Sequence, residues 1–567
     1  VAIDAKQEIQ SQMIPFLGSL QERIVTGGGS TPYTDQYFLN GNFWEMENKP
    51  LGKKTFQWVS RPGYIRQYTN TSGVTSGSVA MYSWRGGVYS YTGTQLLKNG
   101  VSIGTIPAPT SIGAQFTETR PGATTPYLCL NNGDYLILVN ASDEIIILSD
   151  IAITTVAVGN PSTVTTATPH GLTSGVRVVL RDVSGSTPDV NGTIYVATVT
   201  GASTFTIPVN VTVQGTGGTL GNFPSDNLGV LVYMDSYIFT MLSTGEIYNC
   251  AADDPTSWDP TWFLTAQMYP GSWRALARQN NFMVAFSDTT IQTFVTRTPD
   301  ASGGSPLENY ESGVQQVGCV RASSIATDGQ HITWVGTTKT GQNTVYLMRG
   351  LTEPQEIATI QIKNLMSSNY GNSRCFFIRS AGKNLYVMTS GSAPEVLVYD
   401  YDLEMWTIWA RAVDTVPAEW IAFAAYRDGG LGPPSEVLFL LEGSGDIYRF
   451  TPDETTDRNT TASVGGGTAF EVAIQTERID FGTMVRKYMR RLELLADRTS
   501  TTSNVLVSYS DDDYNTFTST RTLDLSQDHT FLPLGGNFRR RAYKFSYTGT
   551  NRIRWQGFEL YFRFGTN

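Results

Sequence analysis

Residues Pro394 to Ala410 read Pro-Glu-Val-Leu-Val-Tyr-Asp-Tyr-Asp-Leu-Glu-Met-Trp-Thr-Ile-Trp-Ala. An apolar run closes on Tyr399-Asp400, a short polar turn follows, and Trp406 opens a second aromatic run, so the segment predicts strand, tight turn, strand. Alone it is one hairpin. Weaker versions of the unit recur along the middle of the chain, and recurrence at a fixed period decides the fold.

The apolar cores Tyr237–Phe239, Met283–Phe286, Ile332–Trp334, Leu385–Val387 and Val437–Leu440 stand about 45 to 53 residues apart, within the range of propeller repeats. A second run follows each by roughly ten residues: Glu246–Tyr248, Thr290–Gln292, Thr344–Tyr346, Val396–Tyr399 and Asp446–Tyr448. Upstream, Val79–Tyr91 reads as a hairpin with a Gly-Gly turn, and Asp134–Leu148 as a strand pair around Asn140-Ala141-Ser142-Asp143. Together they predict an all-β fold built on a β-propeller of five to seven blades. Independent sandwiches are the alternative, but they need not repeat at this period. In this frame Asp400 is a turn-capping carboxylate and Trp406 a packing residue between blades.

Composition agrees with a turn-rich, aromatic-rich β protein: Gly 55, Pro 25, Tyr 28 and Phe 26 among 567 residues, with 16% charged. A net charge of -10 argues against tight nucleic-acid binding over a broad surface, which needs clustered Lys and Arg. An acidic wall that DNA slides past is compatible with it. Cys129, Cys250, Cys319 and Cys375 lie far apart without metal-ligand spacing and read as reduced core thiols. No stretch has the roughly 18 to 20 uninterrupted apolar residues of a membrane helix, and Val1–Gln10 lacks the apolar centre of a signal peptide.

Outside the repeats the pattern changes three times. Residues 1–34 form an N-terminal arm, with Ile9, Met13, Ile14 and Phe16-Leu17 as a loose stripe that predicts a short helix over Ala2–Arg23, docked on its own domain or on a neighbour. Residues 35–150 would hold the first blades, and 223–468 the rest. Between them residues 151–222, rich in Thr, Val and Gly, predict an inserted β module in which His170 is a turn residue of Pro169-His170-Gly171. Residues 469–567 alternate as a C-terminal β-sandwich. Basic clusters concentrate there: Arg486, Lys487, Arg490 and Arg491, and Arg539, Arg540 and Arg541. Two readings stand: contacts to an acidic partner or DNA phosphate, or a solvated face balanced by Asp511-Asp512-Asp513.

One ordered series of motifs resembles a known family. Asn40-Gly41-Asn42 leads to Arg61-Pro62-Gly63-Tyr64. Then come Asp254-Pro255-Thr256-Ser257-Trp258, Phe263, Ala266, Val284–Phe286, Gln316–Cys319, Trp334–Gly336, Asn343–Tyr346, Glu356–Thr359 and Val398–Trp406. The series is similar to the tail hub or nozzle proteins of short-tailed double-stranded DNA phages. The large insert and Trp58-Val59 before the Arg-Pro-Gly turn depart from the pattern and mark a divergent member. The resemblance implies a virion tail protein, assembled in the host cytoplasm as a hexameric ring. Its implied partners are an adaptor (tail tube) protein above it, tail fibres or a plug or needle protein, and genomic double-stranded DNA in the lumen. The implied function is to continue the DNA channel, retain packaged DNA and let it pass at ejection.

Propellers also carry glycosidase chemistry, and a glycan-degrading or receptor-binding tail protein is the alternative. Ser510–Phe517 matches an Asp-box turn except that Tyr514 replaces Gly, and that turn is a folding device. Candidates for a sialidase-like site such as Arg274, Arg374, Glu395 and Tyr399 read more economically as blade residues. His170, His331 and His529 are isolated, and Asp511–Asp513 lacks the glycine and terminal Glu of a calcium loop. No catalytic residue, cofactor or metal is assigned.

Overall fold

A computed structural model of the chain describes residues 10–16, 37–48, 53–70, 79–108, 114–119, 126–267, 271–298, 304–310, 315–337, 341, 343–369, 373–380, 382–389, 395–410, 420–426, 436–441, 445–451, 454–458, 467–533 and 536–565. The hairpin that opens the sequence argument is present as strands Glu395–Asp400 and Met405–Ala410, paired in register with Tyr399 opposite Trp406. Strands Arg374–Ser380 and Lys383–Thr389 complete its blade. Pro394 lies outside the described residues.

Six further four-stranded units share this plan. They start at Ala80–Trp84, Gln115–Glu118, Val232–Met234, Trp273–Gln279, Ala326–Thr327 and Trp420–Tyr426. The first strand of each unit touches the first strand of the next, and Trp420–Tyr426 touches Ala80–Trp84, so the ring of seven closes on itself. The five apolar cores found by repeat are the second strands of blades three to seven, and the runs ten residues later are the third strands.

Burial explains why these strands read as near-continuous apolar runs. In Leu136–Val139 every residue is buried; Leu136 and Leu138 pack toward blade three with Leu231, Ile238, Cys250 and Trp258. Ile137 and Val139 turn the other way, toward Tyr89, Tyr91 and Leu96 of blade one. A blade between two blades has no solvent face, so alternation disappears.

Closure comes from the N-terminal side of the chain. Gly63–Tyr68 is the fourth strand of the seventh blade, paired antiparallel with Ile447–Thr451. The Arg61-Pro62-Gly63 turn that leads into it is held hard. Arg61 is fully buried and donates to both carboxylate oxygens of Asp457 at 2.9 and 2.8 Å, to Ala410 O at 2.8 Å and to Asn40 Oδ1 at 3.0 Å, with its guanidinium 3.8 Å from the Phe470 ring centre. Asn40, at φ 57°, also accepts from Ala410 N and donates to Glu471 O. A Cβ on Gly63 would stand 2.2 Å from Thr456 O, which excludes every other residue without backbone movement. Segments near positions 40, 61, 410, 457 and 471 are thereby fastened together.

The C-terminal sandwich is built from both ends of the chain. One sheet pairs Gly41–Asn48 and Lys53–Ser60 with Arg554–Phe564 and Lys487–Ala496. The other runs from Tyr37–Leu39 through Glu471–Gln475, Ala542–Thr548, Asn504–Ser510 and Arg521–Asp524. Tyr37–Leu39 also pairs with Met405–Ala410 through Leu39 and Ile408, so propeller blade six and this sheet are continuous. Trp58, Trp555, Phe545 and Phe558 fill the space between the sheets.

Four expectations change. Residues 10–15 form a strand antiparallel to the end of Arg554–Phe564 and no helix: the stripe was loose, and an open sheet edge offers six paired positions that an isolated turn around Pro15 cannot match. Residues 37–60 join the sandwich instead of the first blades. The turn of the Val79–Tyr91 hairpin is Arg85-Gly86, both at positive φ, and Gly87 already begins the next strand. A helix at Ile360–Asn369 went unread because its inward side is a single turn, Ile362 and Met366 buried with Leu365 partly buried beside them.

The insert is no separate bead. Its strands Ile153–Val156, Ser162–Thr166, Thr198–Gly201, Thr204–Ile207 and Gly215–Thr216 make one sheet. Arg177–Val179 adds parallel to Ile145–Leu148 and, with Ile194–Val196, widens blade two. Val164, Phe205 and Ile207 share a core with blades one and two. His170 is buried in its turn, where Nδ1 accepts from Leu172 N at 3.0 Å.

Candidate partner surface

Strand Lys487–Ala496 sorts the first basic cluster by alternation. Lys487 is buried, and its ammonium donates to Arg539 O at 2.6 Å and to Thr483 O. Burial holds its pKa below the usual lysine value. Arg486, Tyr488 and Arg490 point outward and are exposed, Tyr488 by 47%. Arg491, at a bulge in the register, lies 3.9 Å over the Tyr561 ring and reaches Glu493 at 3.5 Å.

The second cluster divides in the same way. Arg541 is 1% exposed, forks onto both oxygens of Asp511 at 2.6 and 2.7 Å, and is sandwiched between Tyr509 and Phe538 at 3.7 and 4.4 Å. Arg540 pairs with Asp513, which also takes Arg478 at 2.7 Å. Arg539 remains exposed. Asn537–Phe538 pairs with Tyr488 and Lys487, which brings Arg539 beside the exposed side of the first strand. The outward set is therefore Arg486, Arg490 and Arg539 around Tyr488, while Lys487, Arg540 and Arg541 hold the sandwich together.

The Asp-box resemblance is structural in effect. Asp512 Oδ1 accepts from Ser510 Oγ at 2.7 Å and Thr516 N at 2.9 Å, while Thr516 Oγ1 donates to Oδ2. The Thr516 hydroxyl, followed by the Thr516 amide and Ser510, pulls the Asp512 pKa down to about 2. All three carboxylates of Asp511–Asp513 are engaged with this turn or with arginines. No grouping of three metal-ligating side chains occurs among the described residues.

The glycosidase constellation does not assemble. Arg274 and Arg374 begin or nearly begin the first strands of blades four and six. Glu395 and Tyr399 stand four residues apart on one strand, about 13 Å along it, too far for a nucleophile and its carboxylate partner. Burial pushes Tyr399 up to about 12, against what a tyrosine nucleophile needs. Asp400 caps its turn, accepting from Asp402 N at 3.0 Å and Leu403 N at 3.1 Å, and pairs with Lys383 at 2.6 Å. Trp406 donates to Ile357 O at 2.8 Å, across from blade six to the segment after blade five. The four cysteines are buried and free; burial pushes Cys250 and Cys319 to about 12, so none is a ready nucleophile.

The fold and surface thus define a closed β-propeller with a sandwich fused to one blade and one outward basic patch. Residues 174–422 match the family model described as the β-propeller of bacteriophage P22 Gp10. That match, over part of the chain, supports a phage tail-associated structural protein and a non-enzymatic role. No curated protein matches the chain. Among solved structures, YCF48 bound to D1 peptide is 11% identical at TM-score 0.31, covering 75% of this chain and 100% of its own. The Dos1 propeller is 10% identical at TM-score 0.29, covering 69% and 95%. No helix among the described residues is long and apolar enough to cross a membrane.

Proposed function

We propose that the protein is a structural component of a short phage tail, forming the distal nozzle or hub ring that continues the DNA channel. The match to the phage propeller family carries the reading. Its partners are further copies of itself, six in all, the adaptor above, tail fibres or a plug, and the genome in the lumen. The action is physical. A net charge of -10 supports a wall that repels phosphate, so DNA slides without sticking, while subunit contacts and a gate or plug retain it until ejection.

The exposed Arg486, Arg490 and Arg539 around Tyr488 are the positions for an acidic neighbour, because arginine and tyrosine concentrate at interface centres. Electron microscopy of the assembled protein tests the reading. A ring with an axial channel wide enough for duplex DNA is expected, and a stable monomer inside virions would overturn it.

A further inference from the structure

The sandwich carries a groove made to receive a strand. Along the edge of Arg554–Phe564, Gln10–Pro15 pairs from Gln10 opposite Phe562 to Pro15 opposite Gly557. Gly557 is what lets the backbones meet: a Cβ there would lie 2.5 Å from Ile14 O and 3.0 Å from Pro15 Cα. One residue on, Phe16 is 3% exposed and inserts among Phe545, Phe558 and Trp555, with ring centres 5.4, 5.6 and 6.3 Å away. The rest of the strand is exposed apart from the half-buried Ile14, with Met13 at 50%. Its hold on the sandwich is one ladder of backbone bonds and one aromatic plug.

The connection to the rest of the chain is far longer than this seat requires. Phe16 reaches Phe38 through Trp555 and its paired neighbour Trp58, a path of roughly 15 to 20 Å given ring contacts of 6.3 and 5.3 Å and one cross-strand step. Twenty residues, 17 to 36, join Phe16 to Tyr37, and that many span up to roughly 65 to 70 Å when extended. About six would have been enough.

We infer that in the assembled protein Gln10–Phe16 seats in the same groove of a neighbouring copy, so that each chain donates one strand and accepts one. The inference rests on the self-association proposed above. Exchange conserves every contact of the closed form, and a head-to-tail donation closes when the copies form a ring. It also keeps the edge of Arg554–Phe564 covered in every subunit, which removes an open template for aggregation.

Met13 faces Glu559 across the ladder, and the four native cysteines are buried, so variants with one added surface cysteine test the inference. Full-length Met13→Cys and Glu559→Cys chains are mixed, assembled, oxidised and run on a denaturing gel without reductant. A covalent heterodimer is expected from the assembled fraction, and adding Phe16→Ala to the Met13→Cys chain should abolish it. Assembled rings that give only single chains, while the Met13→Cys/Glu559→Cys double variant closes its bond within one chain, would overturn the exchange. Failure to assemble at all, read by light scattering before oxidation, would instead remove the ring reading and the exchange with it.

Discussion

Arg61 is a charge placed where no water reaches, and its value depends on every partner being present. Removing one member of a buried, hydrogen-bonded pair leaves the other uncompensated, at a cost of about 3 to 5 kcal/mol. Arg61→Ala should therefore lower unfolding stability by about that much in denaturant titration, whereas Arg61→Met combined with Asp457→Leu should lose markedly less. If the single and double variants unfold alike, the pair is not coupled. Gly63→Ala should destabilise even though it adds one methyl, because Thr456 O occupies the space. The Arg-Pro-Gly turn was visible in the sequence, but its role was not, since Asp457 lies 396 residues away and no local pattern links the two. Asp400 and Trp406 were legible because their partners lie within a turn or an adjacent blade.

The turn at Ser510–Thr516 gives an element-scale prediction in acid. The folded pKa of Asp512 lies below its unfolded value, so the turn contributes stability that is complete above about pH 4 and is lost as pH falls through about 2. Asp512→Asn should flatten that part of the acid unfolding profile, measured by tryptophan fluorescence, and an unchanged slope would place the acid sensitivity elsewhere. Strands with two buried faces were legible as apolar runs, and the period placed blades three to seven. Helix Ile360–Asn369 and strand Gln10–Pro15 were not. In one, Ile362, Leu365 and Met366 make an inward stripe only one turn long; in the other, the edge that receives the strand is over five hundred residues away. Of the basic clusters, the sequence showed where charge concentrates. It did not show that Lys487 and Arg541 are buried and that Arg540 is paired at the surface, which depends on strand alternation and on Asp511 and Asp513 across a turn.

At the scale of the whole molecule the prediction concerns assembly. Arg486, Arg490 and Arg539 changed together to Ser should leave the unfolding temperature within a degree or two, since exposed charges contribute little to stability. The same variant should weaken ring formation and its salt dependence, read by sedimentation at low and high ionic strength. Undiminished assembly would remove this surface from the interface. The closure of the seventh blade by Gly63–Tyr68 has a consequence in time as well as in space. Tyr68 pairs with Ile447, so its partner emerges from the ribosome 379 residues later. At about 5 to 20 residues per second that delay is roughly 20 to 75 s. Throughout it, Gly63–Tyr68 is a strand without a sheet, and after Ala410 the first six blades are an open horseshoe that waits for the seventh. The toroid therefore becomes a toroid only once residues 447–451 have been made, and nascent chains halted before residue 447 should remain protease-sensitive at positions 63–68.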